Sequence, residues 1–176
     1  MQEIFENLIK GDKNAFEKVV KMYEKKLLVI ACSRLKDRSL AYDAVQETFI
    51  TLYLNANKIK DYNKLKSWLA VVLMNNCNKI NKKKEYSEIS FEDTNLDAIL
   101  HSDNEEFNKI FSDIDFFSCT NFLSEEERTI LALFYSNDYT INEISDILNL
   151  NVGTVKSKIS RAKTKIKIRL GGKNDE

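Results

Sequence analysis

The 176-residue chain sets 27 Lys and Arg against 27 Asp and Glu, is 43% hydrophobic, and contains four glycines and no proline. These values sit in the globular range and exclude a general polycation, although a neutral total hides local charge. The length allows one compact domain or two small ones, and long periodic runs with so few breakers predict an all-α fold.

In chain order, Ile4 to Ile9 predicts a short helix, broken at Gly11-Asp12. From Ala15, the spacing of Phe16, Val19, Tyr23, Leu27 and Ile30 predicts a long amphipathic helix ending near Leu35, with Lys36-Asp37-Arg38 as a polar break. The next helix, about Ser39 to Asn57, buries Ala41, Val45, Thr48 or Phe49, Leu52 and Ala56. Asp43, Gln46, Glu47 and Ile50 fall at helical spacing beside that stripe and form a second continuous surface. Such a surface is either solvated or a docking face, and periodicity does not choose between them.

After a turn near Lys60-Asp61, Leu65, Leu69, Val72, Asn76 and Ile80 trace another long helix, flanked by Trp68 and Val71. It ends in Lys79, Lys82, Lys83 and Lys84. Rings and amides beside cations suit single-stranded nucleic acid, because bases stack on rings and the backbone needs positive charge. Trp68 itself reads better as a core residue.

A linker is expected over 85–120. Between Glu85 and Glu127 there are thirteen acidic residues against Lys109, with a weak helix around Asn104 to Ile110. Ile110, Phe111, Ile114, Phe116, Phe117 and Phe122 are too apolar for a free tether, so part of it is expected to pack on a domain or a partner. A second domain is expected over 121–170, with 171–176 as a tail. Ser124 and Glu127 form a capping box ahead of Ile130, Leu131 and Phe134.

Thr140 to Leu170 reads as a short helix, a turn and a longer helix. Thr140 and Glu143 form a second capping box, and Ile141, Ile144 and Leu148 share a face. Asn149 to Asn151 fits the turn, since Asn tolerates left-handed geometry. Val155, Ile159, Ala162 and Ile166 give the last helix an apolar stripe. Its other faces carry Lys156, Lys158, Arg161, Lys163, Lys165, Lys167 and Arg169 with no acidic residue. A short helix crossing onto a basic helix is a helix-turn-helix, whose second member enters the major groove of DNA. The same pattern also occurs in bundles whose basic helix is merely a wet face.

Cys32, Cys77 and Cys119 are odd in number and lack metal spacing, so reduced and mostly buried thiols are expected. His101 lies alone in the acidic segment. No metal cluster, nucleotide-binding glycine loop or catalytic carboxylate pair is visible, so no cofactor and no enzyme activity are expected. The first residues lack a secretion signal and nothing approaches a membrane span, which predicts a cytoplasmic protein with no membrane insertion.

Two separated stretches resemble one family. GDKNAFEKVVKMYEKKL, DAVQETFITLY and KLKSWLAVVLMNNCNKINKKK in the first half, and FLSEEERTILALFYSNDYTINEISDILNLNVGTVKSKISRAKTKI in the second, are similar to the small two-domain bacterial RNA polymerase sigma factors of the extracytoplasmic-function type. The resemblance implies that 1–84 binds core polymerase and melts the promoter, and that 121–170 reads a more distant upstream element. By that resemblance Asp43, Gln46, Glu47, Phe49, Ile50 and Tyr53 meet the clamp coiled coil of the largest subunit. Asn57, Lys58, Lys60, Lys64, Lys66, Trp68, Asn75, Lys79, Lys82 and Lys83 line the upstream edge of the melted DNA. Asn151, Thr154, Lys156, Ser157, Lys158, Arg161 and Lys165 contact duplex DNA, while the outer surface of the second domain meets the polymerase flap.

The implied partners are core RNA polymerase and promoter DNA, with room for an anti-sigma protein as a third. There are departures. Tyr53 stands where the family often has Trp, Val71 and Met74 where it often has Arg, and Asn149 at the usual turn glycine. Losing those arginines would shift phosphate contact toward Lys79 and Lys82 to Lys84. Two rival readings remain on sequence: a helix-turn-helix regulator that binds its site without polymerase, and a helical interaction module with an incidental basic tail.

Overall fold

The computed structural model describes residues 2–88, 120–136 and 139–171. The expected linker between 89 and 119, with its weak helix, His101 and Cys119, and the 172–176 tail lie outside them.

Each polar break in the first half turns out to be a helix start. The chain leaves α1 (Gln2–Ile9) through Gly11, whose φ of 81° needs a residue without a side chain. Asp12 then caps α2 (Lys13–Arg34), accepting from the Ala15 amide at 2.7 Å. Asp37 caps α3 (Arg38–Asn55) by accepting from Ser39 and Leu40. A single 3-10 turn covers Ala56–Lys58, and Asp61 caps a second at Tyr62–Lys64. That turn feeds α4 (Leu65–Glu88), which runs past the boundary expected at Lys84. These carboxylates satisfy amide donors that the first helical turn leaves without partners.

Leu27, Leu28, Ile30, Leu52, Leu65, Leu69 and Leu73 are fully buried where α2, α3 and α4 meet. Thr48 and Asn76 are buried polar residues in that interior and satisfy each other. The Asn76 amide donates to Thr48 Oγ1 at 3.2 Å, and Thr48 donates to the Ala44 carbonyl. Cys77 is buried and Cys32 half-buried, and burial pushes both thiols up to about 12.

Both expected capping boxes close. Ser124 and Glu127 start α5 (Glu125–Leu131); Thr140 and Glu143 start α6 (Ile141–Leu148). Asn149 adopts φ 52°, ψ 47° and hands the chain to α7 (Val152–Gly171). Val155, Ile159 and Ala162 are buried and Ile166 half-buried, as the stripe predicts.

α5 passes directly into a π-helical turn, Ala132–Ser136, which the sequence reading did not anticipate. Thr129 through Leu133 are all buried, five in a row, more than one face of a surface helix can hide. The reason is that α5 has neighbours on two sides. It packs on α7 within its own domain and on α2 of the first, while α6 packs on α4. Ile130, Leu133, Tyr139 and Ile144 therefore belong to one core with Leu27 and Leu69. Leu131 joins Leu123 and Ala162 in a separate small cluster.

Polar contacts reinforce the junction. Arg34 Nη1 lies 2.9 Å from Glu125 Oε1, while its Nη2 donates to Asn78 Oδ1. The Ser67 hydroxyl donates to Glu143 Oε1 at 3.3 Å, and Tyr139 OH donates to the Lys66 carbonyl. The acidic segment between two basic surfaces suggests halves held together through the linker, whereas here the two halves also pack on each other directly.

Candidate nucleic-acid interfaces and docking groove

The open face of α3 carries Asp43, Gln46, Glu47, Ile50 and Tyr53, all exposed. Ile50, Tyr53 and Leu54 are 51%, 53% and 68% exposed, an apolar strip that packing among the described residues leaves uncovered. Beside it runs a groove of about 560 Å³ between α2 and α3, lined by Phe16, Val20, Tyr42, Phe49, Ile50 and Tyr53 among others. Phe16 meets the Tyr53 ring edge-on at 5.3 Å, so one wall is pre-set. Phe49 is a correction to the candidate contact set. At 7% exposure it floors the groove, because it falls on the buried stripe with Val45 and Leu52.

A second surface follows α4. Trp68, Val71, Asn75, Lys79 and Lys82 recur at helical spacing along one side. Val71, Asn75, Lys79 and Lys82 are exposed, and Lys83 stands beside them. Asn57, Lys58, Lys60 and Lys64 are exposed in the turns before this helix, where Lys58 also donates to Asn55 Oδ1. Two candidates sit differently from the expectation. Trp68 is half-buried against the core, and the Lys66 ammonium lies 4.1 Å over the Tyr139 ring, facing the second domain. Met74 is buried, so an apolar residue there removes no cation from the outer surface; only Val71 does.

The third surface is the helix-turn-helix. The Asn149 turn is tied by Leu150 N to the Ser145 carbonyl, and by the Ser145 hydroxyl back to the Leu150 carbonyl. The Asn151 carbonyl accepts from Val155 and opens α7. Asn151, Lys156, Ser157 and Arg161 are exposed and Thr154 half-buried. Arg161 folds back along its own helix: Nη2 donates to Ser157 Oγ at 3.2 Å, and Ser157 donates to the Thr154 carbonyl.

Lys158 and Lys165 are placed against expectation. Lys158 pairs with Glu126 at 2.7 Å and Lys165 with Glu127 at 2.8 Å, so both turn toward α5. Sequence reasoning used Glu127 only as a cap. The available signal was the seven-residue spacing of the two lysines, which puts them on one edge of the apolar stripe.

Residues 19–85 match the sigma-70 region 2 family model and residues 117–166 match the sigma-70 region 4 model. The chain belongs to the sigma-70 family, in its extracytoplasmic-function class.

This sigma factor is 28% identical to the ECF RNA polymerase sigma factor SigW of Bacillus subtilis, over 92% of its own length and 91% of the relative. It is 27% identical to the ECF RNA polymerase sigma-E factor of Haemophilus influenzae, over 94% and 92%. Its fold is that of CnrH, solved in complex with the cytosolic domain of CnrY, with a TM-score of 0.66, 18% identity and 98% and 97% of the two chains covered. RpoE of Bartonella quintana, solved with the anti-sigma factor NepR, matches with a TM-score of 0.67 and 23% identity over 92% and 98%. A sigma factor directs RNA polymerase to promoters, and that is the function of this chain. No helix among the described residues is long and apolar enough to cross a membrane.

Proposed function

We propose that the three surfaces divide the work. The exposed strip Asp43, Gln46, Glu47, Ile50 and Tyr53 docks on the clamp coiled coil of core polymerase, with Phe49 as the floor that holds it. Asn57, Lys58, Lys60, Lys64, Asn75, Lys79, Lys82 and Lys83 receive the melted strand and assist promoter opening, with the exposed edge of Trp68 as the stacking surface. The helix-turn-helix reads the upstream element through Lys156 and Arg161, supported by Asn151, Thr154 and Ser157. The work is binding rather than catalysis, carried out in the cytoplasm: phosphate contacts position each domain and base contacts specify.

The observation that carries this reading is the α3 strip. Ile50, Tyr53 and Leu54 are large apolar residues left in water beside a preformed groove and carboxylates, which is the composition of a protein-docking hot spot. A core-binding titration and a run-off transcription assay test it together. Asp43→Ala with Glu47→Ala lowers affinity for core by about 1–3 kcal/mol without loss of helicity. Unchanged affinity in a folded double variant overturns the assignment.

A second reading follows from the packed domains. Lys66 and Ser67, in the first turn of α4, are engaged by Tyr139 and Glu143. We infer that this closed arrangement is a stored form, opened when core polymerase binds. The fold neighbours, one solved with the cytosolic domain of CnrY and the other with the anti-sigma factor NepR, support an anti-sigma protein that holds this form shut. The rival of a polymerase-independent regulator predicts a footprint on DNA without core enzyme.

A further inference from the structure

Between Lys156 and Arg169, α7 carries seven cations, and the fold sorts them by edge. The helix sits on Val155, Ile159, Ala162 and Ile166. Lys158 and Lys165 lie along one edge of that stripe, two turns or about 10.5 Å apart. Lys156, Lys163 and Lys167 lie along the other, where the Lys163 ammonium sits 5.8 Å and 5.4 Å from the Phe134 and Tyr135 rings.

Each lysine of the first edge is met by a glutamate from the first turn of α5. Lys158 Nζ reaches Glu126 Oε2 at 2.7 Å, and Lys165 Nζ reaches both oxygens of Glu127, at 2.8 Å and 3.0 Å. Glu127 is itself fixed, since Ser124 donates to it from its amide and its hydroxyl at 3.0 Å and 3.1 Å. Glu125 turns the other way and pairs with Arg34 of the first domain.

An apolar stripe resists the roll of a helix through packing alone, with no directional contact at its edges. A roll of about 10° carries a guanidinium ~9 Å from the axis through roughly 1.5 Å, enough to break a paired contact to a base edge. Two ionic anchors on one edge, two turns apart, resist that roll. The same carboxylates pair with two lysines at the surface of the domain, which leaves the groove side to Lys156 and Arg161.

We propose that Glu126 and Glu127 are positioning residues for promoter reading: their ion pairs with Lys158 and Lys165 fix the roll of α7 and so decide which base edges Lys156 and Arg161 reach. The proposal rests on α7 being the helix that enters the groove, and gives the glutamates no contact with DNA.

The test uses holoenzyme reconstituted from the full chain and core polymerase, on promoters randomised in the upstream element. Glu126→Gln reduces the preference for the best upstream sequence over its single-base variants by about two- to fivefold, the range an exposed ion pair spans. Helicity is unchanged. The exchanged pair, Glu126→Lys with Lys158→Glu, recovers that preference. If Glu126→Gln leaves the preference untouched, or the exchange fails to restore it, while Lys156→Ala or Arg161→Ala shifts it, the proposal falls and the reading of α7 stands. If all of these variants leave the preference unchanged, both fall.

Discussion

Tyr139 donates its hydroxyl to the backbone carbonyl of Lys66, 3.0 Å away, and the Lys66 ammonium folds back over the same ring. One residue at the entrance to the helix-turn-helix thus holds a promoter-strand candidate from two directions. Burial raises the Tyr139 phenol above its ordinary range, so it remains a donor at any physiological pH.

Tyr139→Phe keeps the ring and deletes the bond, and should weaken the closed arrangement by about 0.5–1.5 kcal/mol. Small-angle scattering is the direct check. The free wild-type chain should scatter near the ~16 Å radius of gyration of a packed chain this long, with a larger value in the variant at moderate denaturant. A wild-type chain already as extended as two independent domains removes the stored form from the account.

The apolar strip makes a separate prediction. Tyr53→Ala removes a half-exposed ring and its edge-on contact with Phe16, so stability should fall by about 0.5–1.5 kcal/mol while affinity for core polymerase drops by roughly 2 kcal/mol. Titration calorimetry and a melt on the same preparation separate the two effects. A fall in melting temperature with affinity intact would make Tyr53 a packing residue of Phe16.

Salt dependence distinguishes the lysines of α7. Lys156→Met should flatten the dependence of promoter affinity on salt by about one phosphate unit. The charge-neutral double variant Lys165→Met with Glu127→Gln should leave that slope nearly unchanged, because Lys165 is already paired inside the domain. If the double variant flattens the slope as much as Lys156→Met does, Lys165 leaves Glu127 for a phosphate in the complex.

The turn residue can be tested alone. At φ 52°, Asn149→Gly should be tolerated, whereas Asn149→Val should cost about 1–2 kcal/mol because a β-branched side chain clashes in left-handed geometry. Denaturant melts decide it. Equal stability of the two variants would mean the turn rearranges.

Glu127 and Glu143 predict the acid response. Burial alone would raise both carboxyls. For Glu127, hydrogen bonds from Lys165 and Ser124 outweigh it; for Glu143, those from Thr140 do, with the Lys66 charge assisting. Both end below the ordinary range. A carboxyl lowered by folding contributes stability at neutral pH that is lost as pH falls through the ordinary carboxylate range and below. The melting temperature should therefore drop on acidification, and drop less in Glu127→Gln with Glu143→Gln. Parallel curves for the two proteins would remove these carboxyls as the cause.

What sequence could show divides by distance along the chain. Ser124 with Glu127, Thr140 with Glu143, the Asn149 turn and the stripe from Val155 to Ile166 are each complete within a few turns, and each is present. The exposed set on α3 was legible for the same reason, apart from Phe49, where two adjacent stripes share an edge. The contact of Ser33 with Thr129 spans 96 positions and Tyr139 with Lys66 spans 73. Nothing local marks a serine or a tyrosine as a cross-domain partner. Lys158 and Lys165 were assigned outward because a lysine-rich helix shows only its own charge, and the carboxylates that claim them lie on another element.

Five consecutive buried residues, Thr129 to Leu133, leave the end of α5 and the start of its π-helical turn without an outside, and this limits how the gene can vary. A substitution at Ile130 or Leu133 is felt by the core shared with the first domain; one at Leu131 is felt by the seat of α7. Drift along this short stretch therefore cannot adjust the grip between domains and the seat of the reading helix independently beyond one residue's reach. Mutations that retune how readily the protein opens should accumulate on α2 and α4, at Arg34 and Ser67, whose partners Glu125 and Glu143 lie outside that stretch.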